Sequence, residues 1–167
     1  RVLMGNAGDL SRRRYSQQLE TCTERLVLSL EDDAPIEGVR SVFLIDVMNP
    51  CWIWKGADLS KVMRINVAVG QVPFNFQIGA DRDKIELAAP ATPSGELEVR
   101  VNGCDGSPIA VLPLEQATRN HGVTILSTDL SARGDDPTDL CFRFTADDLD
   151  PMWAIDWVEL VPASQNR

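Results

Sequence analysis

The chain has 167 residues, 44% of them hydrophobic and 25% charged, with a net charge of −9. That is one domain by length, long enough to bury a core, with an ordinary globular mix rather than a disordered or fibrous one. No run approaches ~18 consecutive apolar residues, so no transmembrane helix is expected, and the acidic balance argues against nucleic acid or anionic membrane as partners.

Several enzyme classes fall away on counts. The one histidine, His121, sits in the polar, Gly-flanked stretch Arg119-Asn-His-Gly122 and reads as a loop residue, so neither a two-histidine metal motif nor a rigid Ser-His-Asp triad is supported. No glycine-rich nucleotide cradle is present. The chain begins at Arg1 without a methionine and reads as a fragment or a processed protein.

Taken in chain order, residues 1–21 read as an N-terminal helical segment or a linker from a preceding domain. Leu10 to Glu20 is rich in helix formers, with Asp9 or Ser11 as N-cap candidates. The basic run Arg12-Arg13-Arg14 reads as a solvated face. Residues 22–167 turn to period two. Leu26, Leu28 and Leu30 alternate, and Ser41 to Val47, Cys51 to Trp54 and Val62 to Val69 follow as strands. Phe74, Phe76 and Ile78 alternate with Asn75 and Gln77 as a further strand. Glu96 to Val101 is the cleanest, with Leu97, Val99 and Val101 inward and Glu96, Glu98 and Arg100 outward. Ile109 to Leu114, Val123 to Leu126, Leu140 to Phe144 and Trp153 to Val161 complete the set. Many short strands between Gly, Pro and Asp turns predict an all-β fold, a β-sandwich or jelly roll, with a short N-terminal helix.

Cys22, Cys51, Cys104 and Cys141 form no Cys-x-x-Cys pair, which argues against a zinc ribbon or a thioredoxin-type site. Three disulfide pairings exist in principle. The reading adopted is Cys22–Cys51 and Cys104–Cys141, because each would tie neighbouring strands. Disulfides imply a periplasmic or secreted home.

Trp52 and Trp54 alternate around Ile53 and so share a face. Aromatic rings stack on the apolar faces of sugars, and Asn49, Asn75 and Gln77 are placed to bond the hydroxyls, so these five are candidate carbohydrate-binding residues. Core packing or interdomain bracing is the competing reading for the tryptophans. The acidic groups Glu31-Asp32-Asp33, Asp81-Arg82-Asp83, Asp135-Asp136 and Asp147-Asp148-Leu149-Asp150 match no EF-hand spacing and read as solvated turns. A glycosidase-type carboxylate pair is the minor alternative. Asp156 stands mid-strand in Trp153-Ala-Ile-Asp-Trp157, where a carboxylate needs an ion or hydrogen-bond donors, and donors are the favoured reading.

Gly95-Glu-Leu-Glu-Val-Arg-Val-Asn-Gly-Cys-Asp-Gly106 and Trp153-Ala-Ile-Asp-Trp-Val-Glu-Leu160 resemble family 6 carbohydrate-binding modules. That resemblance implies a galactose-binding-like jelly roll. It also implies a structural calcium at Asp156, with Asp32 and Asp33 as loose acidic partners. Leu30-Glu-Asp-Asp-Ala-Pro35, Asp46-Val-Met-Asn-Pro-Cys-Trp52, Val69-Gly-Gln-Val-Pro-Phe-Asn-Phe-Gln-Ile-Gly79 and Asp150-Pro-Met-Trp-Ala-Ile-Asp-Trp157 are similar to the C-terminal region of bacterial family 20 β-N-acetylhexosaminidases. This second resemblance implies a non-catalytic accessory module that binds an N-acetylhexosamine-containing glycan or braces the catalytic domain of the same chain. The alternatives are a purely structural interdomain sandwich and a hydrolase using a carboxylate pair.

Overall fold

Residues 12–31, 42–74, 78–120, 122–130 and 136–162 are described by the computed structural model. Within them the period-two segments become antiparallel strands: β1 (Arg13–Tyr15), β2 (Glu20–Thr21), β3 (Val27–Glu31), β4 (Val42–Asp46), β5 (Cys51–Ala57), β6 (Val62–Val72), β7 (Glu96–Val101), β8 (Pro108–Pro113), β9 (Thr124–Asp129), β10 (Thr138–Phe144) and β11 (Met152–Pro162). They build a four-stranded sheet in the order β1-β11-β6-β9, a five-stranded sheet in the order β2-β5-β10-β7-β8, and the pair β3-β4. This is the expected all-β sandwich.

Register sorts each strand into an inner and an outer face. In the five-stranded sheet Trp52 pairs with Phe142 and Phe142 with Val99, while Phe144 pairs with Leu97 and Leu97 with Leu112, so these side chains line one face. The four-stranded sheet presents Ile65, Val67 and Val69 of β6 and Ile155, Val158 and Leu160 of β11, all buried. Between the sheets these residues form a single apolar core.

The N-terminal helix expected over residues 10–20 is not what the described part of that stretch forms. Arg13–Tyr15 pairs with Glu159 to Trp157 of β11, Ser16–Gln18 makes one 3-10 turn, and Glu20–Thr21 pairs with β5. Tertiary pairing with two sheet edges overrides helix propensity, which is a weak prior for so short a stretch. The strand expected over 74–78 also fails at its described ends. Phe74 and Ile78 lie outside any strand, and a 3-10 segment Gly79–Lys84 follows; residues 75–77 lie outside the described residues, as does His121.

Two contacts seat the β3-β4 pair. The Asp46 carboxylate is fully buried and accepts the Thr23 hydroxyl and the backbone N–H groups of Arg25 (3.1 Å), Leu26 (3.1 Å) and Met48 (3.0 Å), so its burial is compensated by donors. Phe43 lays its ring against the backbone of β6 at Gly70, where an added Cβ would stand 2.6 Å from Phe43 Cζ. Gly70→Ala should therefore cost about 1–3 kcal/mol by overpacking. Urea denaturation checks this: the midpoint falls while the slope is unchanged.

Candidate functional site

Trp52 and Trp54 do share a face, and that face is the core. Trp52 is 0% exposed, donates its indole N–H to the Leu44 carbonyl at 2.8 Å, and packs edge-on to Phe144 at 5.7 Å. Trp54 is buried with the Arg14 guanidinium 4.6 Å from its ring centre. Neither ring offers a face for a sugar. Asn49 is buried in the turn between β4 and β5, its N–H donating to the Asp46 carbonyl. Asn75, Gln77, Asp32 and Asp33 lie outside the described residues.

Asp156 is buried in β11 where the register with β6 slips between Ile155 and Trp157. Strand β1 pairs alongside and presents Arg13 opposite Glu159 and Arg14 opposite Val158. Calcium takes about six to eight oxygens. Around Asp156 the described residues assemble no group of three carboxylates, and the neighbouring strand carries two guanidiniums. An ion at Asp156 would therefore take most of its ligands from backbone carbonyls and water.

A cleft that no sequence motif marks lies at the loop end of the sandwich. Pro93, Ser94, Thr118, Ala146, Asp147, Asp148, Asp150, Pro151 and Trp153 line a space of about 250 Å³. On the other side of the Ala146–Pro151 loop lies a narrower space of about 20 Å³, lined in part by Leu87, Leu149 and Trp153. That is room for about one water, whereas the first space approaches the volume of a small-ligand site. Trp153 reaches both. It is held from beneath by Phe144, stacked with centroids 6.3 Å apart.

The walls are fixed by carboxylates turned to structural use. Asp150 accepts the Phe74 N–H at 3.0 Å, tying the 146–151 loop to the segment after β6. Glu96, expected to face outward, is 4% exposed. Its carboxylate accepts the N–H groups of Ala91 (3.0 Å) and Thr92 (2.8 Å) and the hydroxyls of Thr92 (2.5 Å) and Thr145 (2.8 Å). It thereby clamps the loop that carries Pro93 and Ser94 to the start of β10–β11. Burial pushes its pKa up, but the donors from Ala91, Thr92 and Thr145 outweigh burial and leave it below the ordinary glutamate range. By contrast, Asp147 and Asp148 are exposed. Their signal in the sequence was an acidic turn, indistinguishable there from a solvated one.

A second aromatic surface is already occupied. Trp157 faces outward beside Tyr15, which is 42% exposed, but the Arg13 guanidinium lies 4.0 Å from the Trp157 ring centre and is ion-paired to Glu159 at 3.5 Å.

No family model matches the chain, and no curated protein matches it. Solved structures share its fold. A family 6 carbohydrate-binding module of Clostridium stercorarium in complex with cellobiose superposes with a TM-score of 0.57 at 10% identity, over 90% of this chain and 93% of that one. One from Clostridium cellulolyticum in complex with xylose gives 0.56 at 15% identity, over 89% and 95%. The carbohydrate-binding module CBM36 in complex with calcium and xylotriose gives 0.50 at 12% identity, over 88% and 97%.

Two outcomes follow from the carboxylates. Because the folded pKa of Glu96 lies below its unfolded value, the unfolded chain takes up the proton first. The clamp is therefore fully stabilising above the ordinary glutamate range and is lost as the pH falls through the lower, folded pKa. Glu96→Gln should lose about 1.5–3 kcal/mol at neutral pH and show a flatter decline of stability on the acid side, read by denaturant melts across pH. For Asp156, a chelator should leave the thermal midpoint unchanged; a drop that calcium restores would place an ion there.

Proposed function

We propose that this chain is a non-catalytic carbohydrate-binding accessory module that takes a neutral sugar in the loop-end cleft. The carrying observation is that cleft itself: a tryptophan edge at its base and carboxylates on its wall, on a sandwich whose structural neighbours are carbohydrate-binding modules. Carboxylates accept hydrogen bonds from sugar hydroxyls in pairs, while Trp153, only 5% exposed, supplies an apolar edge at the cleft base rather than a stacking face. Asp147, Asp148 and Asp150 set one sign of charge around the opening, which disfavours uronic or sulfated glycans and suits uncharged hydroxyl- or acetamido-bearing rings.

The resemblance to the region that follows the catalytic barrel in family 20 β-N-acetylhexosaminidases supports an N-acetylhexosamine-containing glycan as the ligand and such a hydrolase as the parent. The Asp-Glu pair of that chemistry is not carried here, so the role is delivery of substrate to, or bracing of, a neighbouring catalytic domain. The two disulfides support an oxidising compartment, the periplasm or the exterior.

Calorimetric titration with N-acetylglucosamine, cello- and xylo-oligosaccharides tests this reading. N-acetylglucosamine oligomers should bind, and Asp148→Ala should weaken binding at least tenfold, about 1.4 kcal/mol, with the melting temperature unchanged because Asp148 is exposed. Binding of none of the three by the intact chain would overturn the sugar role and leave the bracing one.

A further inference from the structure

The two disulfides, Cys22–Cys51 and Cys104–Cys141, lie against each other on the outer face of the five-stranded sheet. Cys51 and Cys141 stand on adjacent strands β5 and β10; Cys22 follows β2 and Cys104 sits in the turn between β7 and β8. Across the two bridges, Cys51 Sγ is 3.5 Å from Cys141 Sγ and 3.6 Å from Cys104 Sγ, and Cys22 Sγ is 3.7 Å from Cys104 Sγ. All four sulfurs lie within 4.8 Å of one another. A zinc ion with Zn–S bonds of about 2.3 Å has sulfur–sulfur edges of about 3.8 Å in a tetrahedron. Three of the edges are therefore close to that value in the disulfide form. The two bonded pairs must part and the sixth edge, Cys22 to Cys141, which lies within 4.8 Å, must settle to the same value; in each bonded pair one cysteine lies outside the strands, where backbone yields more readily.

The electrostatics also suit thiolates. Arg143 is the register partner of Cys51, and Arg100 that of Cys141, so both guanidiniums project on the sulfur-bearing face. Among the described residues the one buried side-chain N or O atom without a hydrogen-bond partner is Arg143 Nε. The two arginines otherwise share a single acid, Glu98, at 3.3 and 3.4 Å. A zinc tetrathiolate carries two net negative charges; the two guanidiniums, less the one charge of the Glu98 they share, leave one positive charge beside it.

We infer that, on reduction, the four cysteines form a tetrahedral tetrathiolate site for a divalent d10 metal ion such as Zn²⁺. Each S–S bond is cleaved by a phosphine reductant, which takes the oxygen of one water and becomes its oxide while the two sulfurs take that water's protons. On metal binding the four S–H protons pass to solvent and four metal–sulfur bonds form. The site holds the same four chain segments that the disulfides hold, so the sandwich stays closed whether sulfur is oxidised or metallated.

The test is a cobalt titration of the phosphine-reduced chain, followed by absorbance together with the near-ultraviolet circular dichroism of the buried tryptophans. The expected result is a thiolate-to-cobalt charge-transfer band and tetrahedral d–d bands saturating at one ion per chain. Zinc should displace the cobalt and raise the melting temperature of the reduced chain. Fully reduced Cys104→Ser and Cys22→Ser should each replace the tetrathiolate spectrum with a weaker, blue-shifted three-thiolate one, and the same variants with their remaining bridge oxidised should keep the tryptophan signal. A reduced, folded chain without the bands would overturn the site. So would a reduced chain that unfolds and is not refolded by zinc, or bands that persist unchanged in denaturant, where only an unfolded chain chelates.

Discussion

The antiparallel ladder between β6 and β11, running from Met152 opposite Val72 to Pro162 opposite Val62, is the constraint on which the rest depends. Its apolar side supplies half the core. Its two edges seat β1 and β9 and complete the four-stranded sheet. The same ladder sets Trp153 at one end, under the loop-end cleft, and turns Trp157 to the opposite face, where Arg13 covers it. The slip after Ile155 changes the alternation by one residue. Without it the tryptophans at 153 and 157 would keep one parity relative to β6, and the cleft floor and the outer face could not both be aromatic.

Two kinds of polar anchor then fix what hydrophobic burial leaves loose. Burial is non-directional and does not choose loop conformations. Here the loops are chosen by carboxylates: Asp46 for residues 23–26 and Glu96 for residues 91–95 each accept several donors at once, and Asp150 holds the chain leaving β6 through the Phe74 N–H. On the five-stranded sheet the sulfur cluster does the same for the segments after β2 and between β7 and β8. The exposed acids Asp147 and Asp148 are left over from this structural use, and they stand where a ligand would meet them.

How much of this was legible in the sequence depended on whether the cause was local. Alternation marked β6 and β7, while β10 and the first half of β11 showed as short apolar runs because consecutive residues there are buried. The disulfide partners were also readable from the expected neighbouring strands. Strand β1 was not, since Arg12-Arg13-Arg14 carries no apolar alternation and becomes a strand only because β11 has a free edge. The tryptophan pair was assigned the right shared face, but parity alone does not say whether that face is inside or outside. Glu96 looked outward by parity and turned inward because the 91–95 loop brings it donors. The convergence of four cysteines separated by 29 and 37 residues within each bridge is a property of sheet register, invisible to any spacing motif. The cleft is built by the loops at 93–94 and 146–151, the short helix Glu115–Thr118 and the start of β11, segments distant in sequence, which is why its residues carried no common signal.

Sugar binding in the loop-end cleft is read most directly from an amide chemical-shift map of the isotope-labelled chain titrated with an N-acetylglucosamine oligomer. Shifts should concentrate at Ser94, Thr118 and the amides from Ala146 to Asp150, together with the Trp153 indole, with little change at Tyr15 and Trp157. Shifts centred on Tyr15, Trp157, Asn66 and Glu159 with the cleft silent would contradict it.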